Sequence, residues 1–76
     1  MDVFVLVHGA WHGGWCWRKV APLLRNAGVD VFAPTLSGLG ERAHLADDLD
    51  PSAINLDLHI RDITGLLEYE ALSDVI

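Results

Sequence analysis

Phe4 to Trp15, FVLVHGAWHGGW, joins a run of strand formers to a histidine and a cluster of glycines. Val3 to Val7 is continuously apolar and mostly β-branched or aromatic, the pattern of a strand covered on both faces, as in a parallel sheet. The run stops at His8, and the glycines beyond it let the chain turn sharply and bring backbone close to a neighbour or ligand. Ligands of open parallel sheets bind at the carboxyl ends of strands, so His8 to Trp15 is the first place to look for a site. A turn there can point N–H groups at a developing negative charge, a role for the main chain rather than the side chains.

Downstream, Trp17, Val20, Ala21, Leu24 and Ala27 recur at helical spacing, and Gly28 supplies the stop. Pro22 has no N–H and fits a first helical turn, which places the regular helix nearer Val20 than Trp17. Val29 to Ala33 reads as a second short strand, closed by Pro34. Thr35 to Ala53 has the Gly, Ser, Asp and Pro content of a long loop, and such loops in compact domains are usually functional or mobile. A second helix carries Leu56, Ile60, Ile63 and Leu67 on one face, with Asn55 placed to cap it and Asp57 in its first turn. Gly65 weakens that helix by about 1 kcal/mol relative to alanine. Leu72 to Ile76 opens a further apolar run, an incipient strand. Strand, helix, strand, loop, helix and strand in that order is an α/β fold with parallel strands and crossover helices. Because the chain stops as it enters a buried strand, residues 1–76 are expected to be the N-terminal portion of a single, incomplete domain.

The formal charge of -6, from 11 acidic and 5 basic side chains, argues against nucleic acid or an anionic membrane surface as a partner. Arg18, Lys19 and Arg25 lie on the first helix and acids dominate from Glu41 onward, both as solvated faces. Cys16 is the single cysteine, so no disulfide or C-x-x-C pair exists, and a buried or half-buried thiol in a reducing, cytoplasmic compartment is expected. No basic leader and no apolar run of signal-peptide or membrane-span length is present, so the chain reads as soluble and unprocessed. Oligomeric state has no signature in the sequence.

Gly38 to Ala43 matches G-x-G-x-x-A, yet its glycines begin several residues past the strand. No helix is expected after them to meet a pyrophosphate, so no cofactor is expected. His8 and His12 have the spacing of H-E-x-x-H, but Gly9 stands at the glutamate position and the glycines preclude a helix. His44 and His59 have no nearby Cys or His, and no metal site is expected. Asp47, Asp48 and Asp50 read as a solvated loop approaching a helix rather than as acid/base machinery.

Taken whole, VFVLVHGAWHGGWCWRKVAPLLRNAGVDVFAPTLSGLGERAH, Val3 to His44, resembles the N-terminal part of an α/β-hydrolase, and the resemblance covers nearly the whole chain, from Val3 to Ile76. The branch is that of small carboxylesterases, methyl esterases and hydroxynitrile lyases. His8 to Trp15 carries the resemblance together with Ala33-Pro34 and Gly38-Leu39-Gly40-Glu41-Arg42. It implies the front of that fold, with the first strand between the second and the incipient third, ending before the G-x-S-x-G nucleophile elbow. Ser37, Ser52 and Ser73 lack the flanking glycines, and the catalytic Ser, Asp and His are implied to lie outside this chain.

The resemblance also assigns roles. The Ala10 N–H becomes one oxyanion-hole donor, a group that contributes about 3 kcal/mol to transition-state stabilisation. Trp11 and His12 lie near the pocket mouth, while His8 and Gly9 set the loop geometry. Against these roles stands a plainer reading, in which the His8 imidazole is a satisfied structural group and Trp15 and Trp17 are core. The implied function is part of a serine-dependent hydrolase of small carboxylic esters, with a small-molecule ester as substrate and the fragment inactive alone. A carbon–carbon lyase and a non-catalytic ligand-binding protein on the same scaffold remain open alternatives.

Overall fold

The computed structural model describes residues 2–76, and Met1 lies outside them. Two strands, β1 (Val3–Val5) and β2 (Asp30–Phe32), and two α-helices, α1 (Ala21–Asn26) and α2 (Leu56–Tyr69), alternate along the chain. Three 3-10 helices stand between them at Gly14–Trp17, Gly40–Ala46 and Pro51–Ala53. The stretch expected to be loop from Thr35 to Ala53 therefore holds two short helices. The second starts where Asp50 accepts a hydrogen bond from the Ser52 N–H, since a carboxylate in that position satisfies an otherwise unpaired donor.

β1 and β2 pair in parallel with Val3 opposite Asp30 and Val5 opposite Phe32, the arrangement read from their unbroken apolar runs. Bonds from Asp30 N–H to the Asp2 carbonyl and from Leu6 N–H to the Phe32 carbonyl, 3.1 and 2.8 Å, extend the ladder by one step at each end. On the other edge of β1, the Ile76 N–H donates to the Val3 carbonyl at 2.9 Å and the Val5 N–H to the Ile76 carbonyl at 2.8 Å. β1 thus lies between β2 and the last residue, in the order the resemblance implied. The preceding residues do not form the expected strand. Ala71 and Asp74 both take φ of 53°, because the chain must reverse out of α2 before it can run beside β1.

α1 starts at Ala21 with Pro22 in its first turn, as the missing proline N–H requires. It ends in a left-handed Gly28, φ 89°, whose N–H reaches the Arg25 carbonyl while Val29 N–H reaches that of Leu24. These two bonds satisfy carbonyls that the helix cannot. The Arg25 guanidinium then crosses to the Val31 carbonyl at 3.0 Å, supplying a donor on the outer edge of β2. α2 opens on Asn55, whose side-chain oxygen accepts from Leu58 N–H at 2.9 Å.

The core is small. Ala21, Val31 and Leu36 are its buried apolar residues, and His8 and Thr35 are the buried polar ones. β1 is half-buried rather than covered on both faces, and Val7 is exposed and outside the ladder. Two strands and two helices supply too little surface to cover both sides of the sheet. Leu56 and Ile60 on the apolar row of α2 are accordingly exposed while Ile63 and Leu67 are half-buried. Trp15 and Trp17, read as core, depart from that reading: Trp15 is 44% exposed, and Trp17 is half-buried with no acceptor among the described residues for its Nε1–H. Among the described residues no helix is long and apolar enough to cross a membrane.

Candidate functional site

β1 delivers the chain to His8, which is 5% exposed. Its Nδ1 lies 2.8 Å from the Gly9 carbonyl oxygen and its Nε2 lies 3.0 Å from the Leu36 nitrogen. A carbonyl can only accept and an amide N–H only donates, so the proton sits on Nδ1 and Nε2 is the acceptor. Both ring nitrogens are used. The imidazole is a structural strut between the first loop and the segment after β2, as the plainer reading of His8 held.

The Gly9 carbonyl also accepts from His12 N–H at 3.3 Å, closing a four-residue turn with Ala10 and Trp11 at its centre. Trp11 takes φ of 66°, a left-handed conformation uncommon for a bulky residue, and its side chain is 93% exposed. The N–H groups of Ala10 and Trp11 find no acceptor among the described residues, whereas the Ala10 carbonyl accepts from His12 Nδ1–H at 2.9 Å. The His12 ring leans against Trp15, centroids 5.8 Å apart and tilted by 45°. Gly9, Ala10, Trp11 and His12 therefore form one turn at the carboxyl end of β1, braced by the His8 ring.

Gly13 and Gly14 carry the chain from that turn against the segment after β2. A Cβ on Gly14 would overlap the Ala33 carbonyl oxygen, so only glycine allows this approach. The Gly14 N–H donates to Thr35 Oγ1 at 2.8 Å, and that hydroxyl donates onward to the Glu41 carboxylate, 2.9 and 2.8 Å from its two oxygens. Arg42 closes the unit by donating to the Thr35 carbonyl at 2.7 Å. The Thr35 hydroxyl, then the Glu41 backbone N–H, and to a lesser extent the Arg42 charge hold the Glu41 carboxyl below the ordinary glutamate value. The Ser52 backbone N–H and hydroxyl do the same for Asp50, which fits a helix-capping carboxylate rather than a proton donor.

Ser37, next along, is gripped by α2. Its N–H and hydroxyl donate to the two carboxylate oxygens of Asp62, each at 2.7 Å, and its carbonyl accepts from His59 Nε2–H at 3.1 Å. Serine, aspartate and histidine meet here without the geometry of a nucleophile. The hydroxyl faces the carboxylate and the imidazole faces a carbonyl, so the imidazole is not placed to take the Ser37 proton.

A groove of about 360 Å³ opens between the end of β1 and α2, with walls of Val7, Leu36, Ile60 and Ile63 and polar points at His59 and Thr64. A second hollow of about 290 Å³ lies beside the turn, lined by His12, Trp15, Cys16, Arg18 and Lys19. Cys16 is exposed there instead of buried, because it rides the outer side of the 3-10 helix that follows Gly13. The stretch matching G-x-G-x-x-A does enter a helix, the 3-10 helix from Gly40, where a featureless loop was expected. Its second glycine packs within reach of Gly13 and His12, so the glycines serve contact between the two loops.

Thr35 and Asp62 were not singled out from sequence, Ser37 was weighed only as a nucleophile and set aside, and Glu41 entered only within the motif that carries the resemblance. Their partners lie 6 to 25 positions away on other elements, and no local spacing marks them.

A sequence model of the alpha/beta hydrolase family matches residues 4–76. The chain is 55% identical over its 76 residues to a carbendazim hydrolyzing esterase of Nocardioides sp. (strain SG-4G), covering all of this chain and 30% of that protein. It is 51% identical over 47 residues to methyl jasmonate esterase 1 of Vitis vinifera, covering 62% of this chain and 18% of that protein. Over 46 residues it is 50% identical to salicylic acid-binding protein 2 of Nicotiana tabacum, covering 60% of this chain and 18% of that protein. The chain thus spans less than a third of the length of these relatives. No solved structure matches it.

Proposed function

Because the chain belongs to the alpha/beta hydrolase family, we propose that it forms the N-terminal part of a serine-dependent hydrolase of small carboxylic esters. In this reading the Ala10 N–H is one of the two oxyanion-hole donors. The observation that carries it is the Gly9–His12 turn, which sits at the carboxyl end of β1 with no acceptor for the Ala10 N–H among the described residues. The 55% identity along all 76 residues to a relative named as an esterase, of which they cover 30%, supports the reaction class.

Chemically, attack of a serine hydroxyl on an ester carbonyl moves negative charge onto the carbonyl oxygen. A fixed N–H stabilises that charge with no reorganisation at the moment of reaction. No serine of this chain has the flanking glycines of the elbow, so the nucleophile and its Asp and His are assigned to residues outside it. His8 moves no proton in this scheme, since both of its nitrogens are committed to backbone groups. Its part is to hold the Gly9 carbonyl.

The test is a chimera in which these 76 residues replace the matching segment of the Nocardioides esterase. Hydrolysis of p-nitrophenyl acetate by the chimera is expected, and a folded but inactive chimera would overturn the reading. Ala10→Pro removes the N–H at a turn position that proline tolerates. It is expected to lower kcat by about 10²- to 10³-fold with KM little changed. A second reading, ligand binding without chemistry, draws on the name of the Nicotiana relative, and there the same substitution would raise the Kd for the ligand with no turnover to lose.

A further inference from the structure

We infer that Asp62, with His59 one turn before it on α2, is a positioning residue for the Ala10 N–H. The inference rests on the oxyanion role proposed above for Ala10. All three backbone and side-chain polar groups of Ser37 are held by this pair. Asp62 takes the N–H and the hydroxyl at 2.7 Å each, and His59 gives its Nε2–H to the carbonyl at 3.1 Å. A side-chain carboxylate accepting two hydrogen bonds from one residue fixes both its place and its orientation.

Leu36 immediately precedes Ser37, and its N–H is the donor that meets His8 Nε2 at 3.0 Å. That bond selects the tautomer in which Nδ1–H faces the Gly9 carbonyl, 2.8 Å away. The same carbonyl closes the turn through His12 N–H, and the turn aims the Ala10 N–H. A continuous path of hydrogen bonds and peptide links therefore runs from α2 through Ser37, Leu36, His8 and Gly9 to the donor. Leu36, His8 and Thr35 are buried, and the path is shielded from competing water over its central part. Asp62 touches neither the turn nor a substrate bound there, so it acts through the geometry it imposes.

The chimera provides the test. Asp62→Ala is expected to lower kcat by roughly 2- to 30-fold, the range found for residues that couple to a site without touching it, with KM little changed. In the Ala10→Pro background the same substitution is expected to cost nothing further, because the group it positions is gone. Ser37→Ala, which removes one bond and leaves the Ser37 N–H to Asp62, is expected to give a smaller loss in the same direction and keeps the test open should Asp62→Ala not fold. Nitrogen-15 spectra of His8 report the tautomer directly: the Nδ1–H form in the parent, and a mixture of tautomers in Asp62→Ala. An unchanged kcat in folded Asp62→Ala, or a loss that multiplies in full with that of Ala10→Pro, would overturn the inference. An inactive parent chimera would instead sink the esterase reading, and the His8 spectra would still decide whether Asp62 controls the imidazole.

Discussion

Thr35 places one hydroxyl at the meeting point of three segments: it accepts from Gly14, donates to Glu41, and belongs to the loop after β2. The Glu41 carboxyl is held below its ordinary pKa, chiefly by that hydroxyl. A depressed folded value means that the bond adds stability in full above the unfolded pKa of about 4.3 and loses it as pH falls through the folded value. Glu41→Gln in the chimera is therefore expected to lower the thermal midpoint near neutral pH, and the gap to the parent should close in strong acid. A gap that widens as pH falls would contradict this assignment. One of the two readings of His8 from sequence was a satisfied imidazole at a strand end, and both of its bonds are found. Sequence could not show Thr35 or Asp62, because a hydroxyl or carboxylate acquires its partner only when segments far apart in the chain are folded together.

Among the elements, helix ends were more legible than strand ends. Pro22, Gly28 and Asn55 each carry a local backbone rule, and α1 and α2 begin or end where those rules place them. The strands are shorter than their apolar runs, since a ladder extends only as far as a neighbour does, and Val7 and Val29 have none within it. The C-terminal end of α2 is the exception among helix ends. Its carbonyls are capped by Ala71 N–H to Glu68 and Leu72 N–H to Leu67, 3.1 and 2.8 Å, with alanine in the left-handed position that glycine usually fills. A Cβ there costs about 1–2 kcal/mol, part of which glycine forfeits through its freer unfolded chain. Ala71→Gly is expected to stabilise the fold by about 0.5–1 kcal/mol, read as a raised urea midpoint at unchanged slope, and Ala71→Val should do the reverse.

At the scale of the molecule, the exposed apolar surface is the dominant fact. Leu56 and Ile60 line up on one side of α2 with Val7 exposed across the groove, and the buried Trp17 N–H has no partner among the described residues. Contiguous apolar surface of this kind drives association in water. The 76 residues expressed by themselves are expected to bind an apolar dye, to self-associate in sedimentation, and to leave p-nitrophenyl acetate untouched. A monomer that unfolds cooperatively and hydrolyses the ester would contradict all three expectations. The α/β alternation was visible in the sequence because periodicity is local, whereas how far β1 is covered depends on how many elements arrive to pack on the sheet.

The two edges of β1 also differ in when they can form. β2 follows β1 by about 27 positions and Ile76 by about 73, and the entropy of closing a loop grows with its length. A chain emerging from the ribosome at about 5–20 residues per second would have β2 available several seconds before Ile76. During that interval the Val5 N–H and the Val3 carbonyl stand open on an apolar strand, a template for any neighbouring extended segment. The hazard of synthesis is thus concentrated on one side of one strand, and a chaperone that shields a nascent chain would have most to protect between the completion of β2 and the arrival of residue 76.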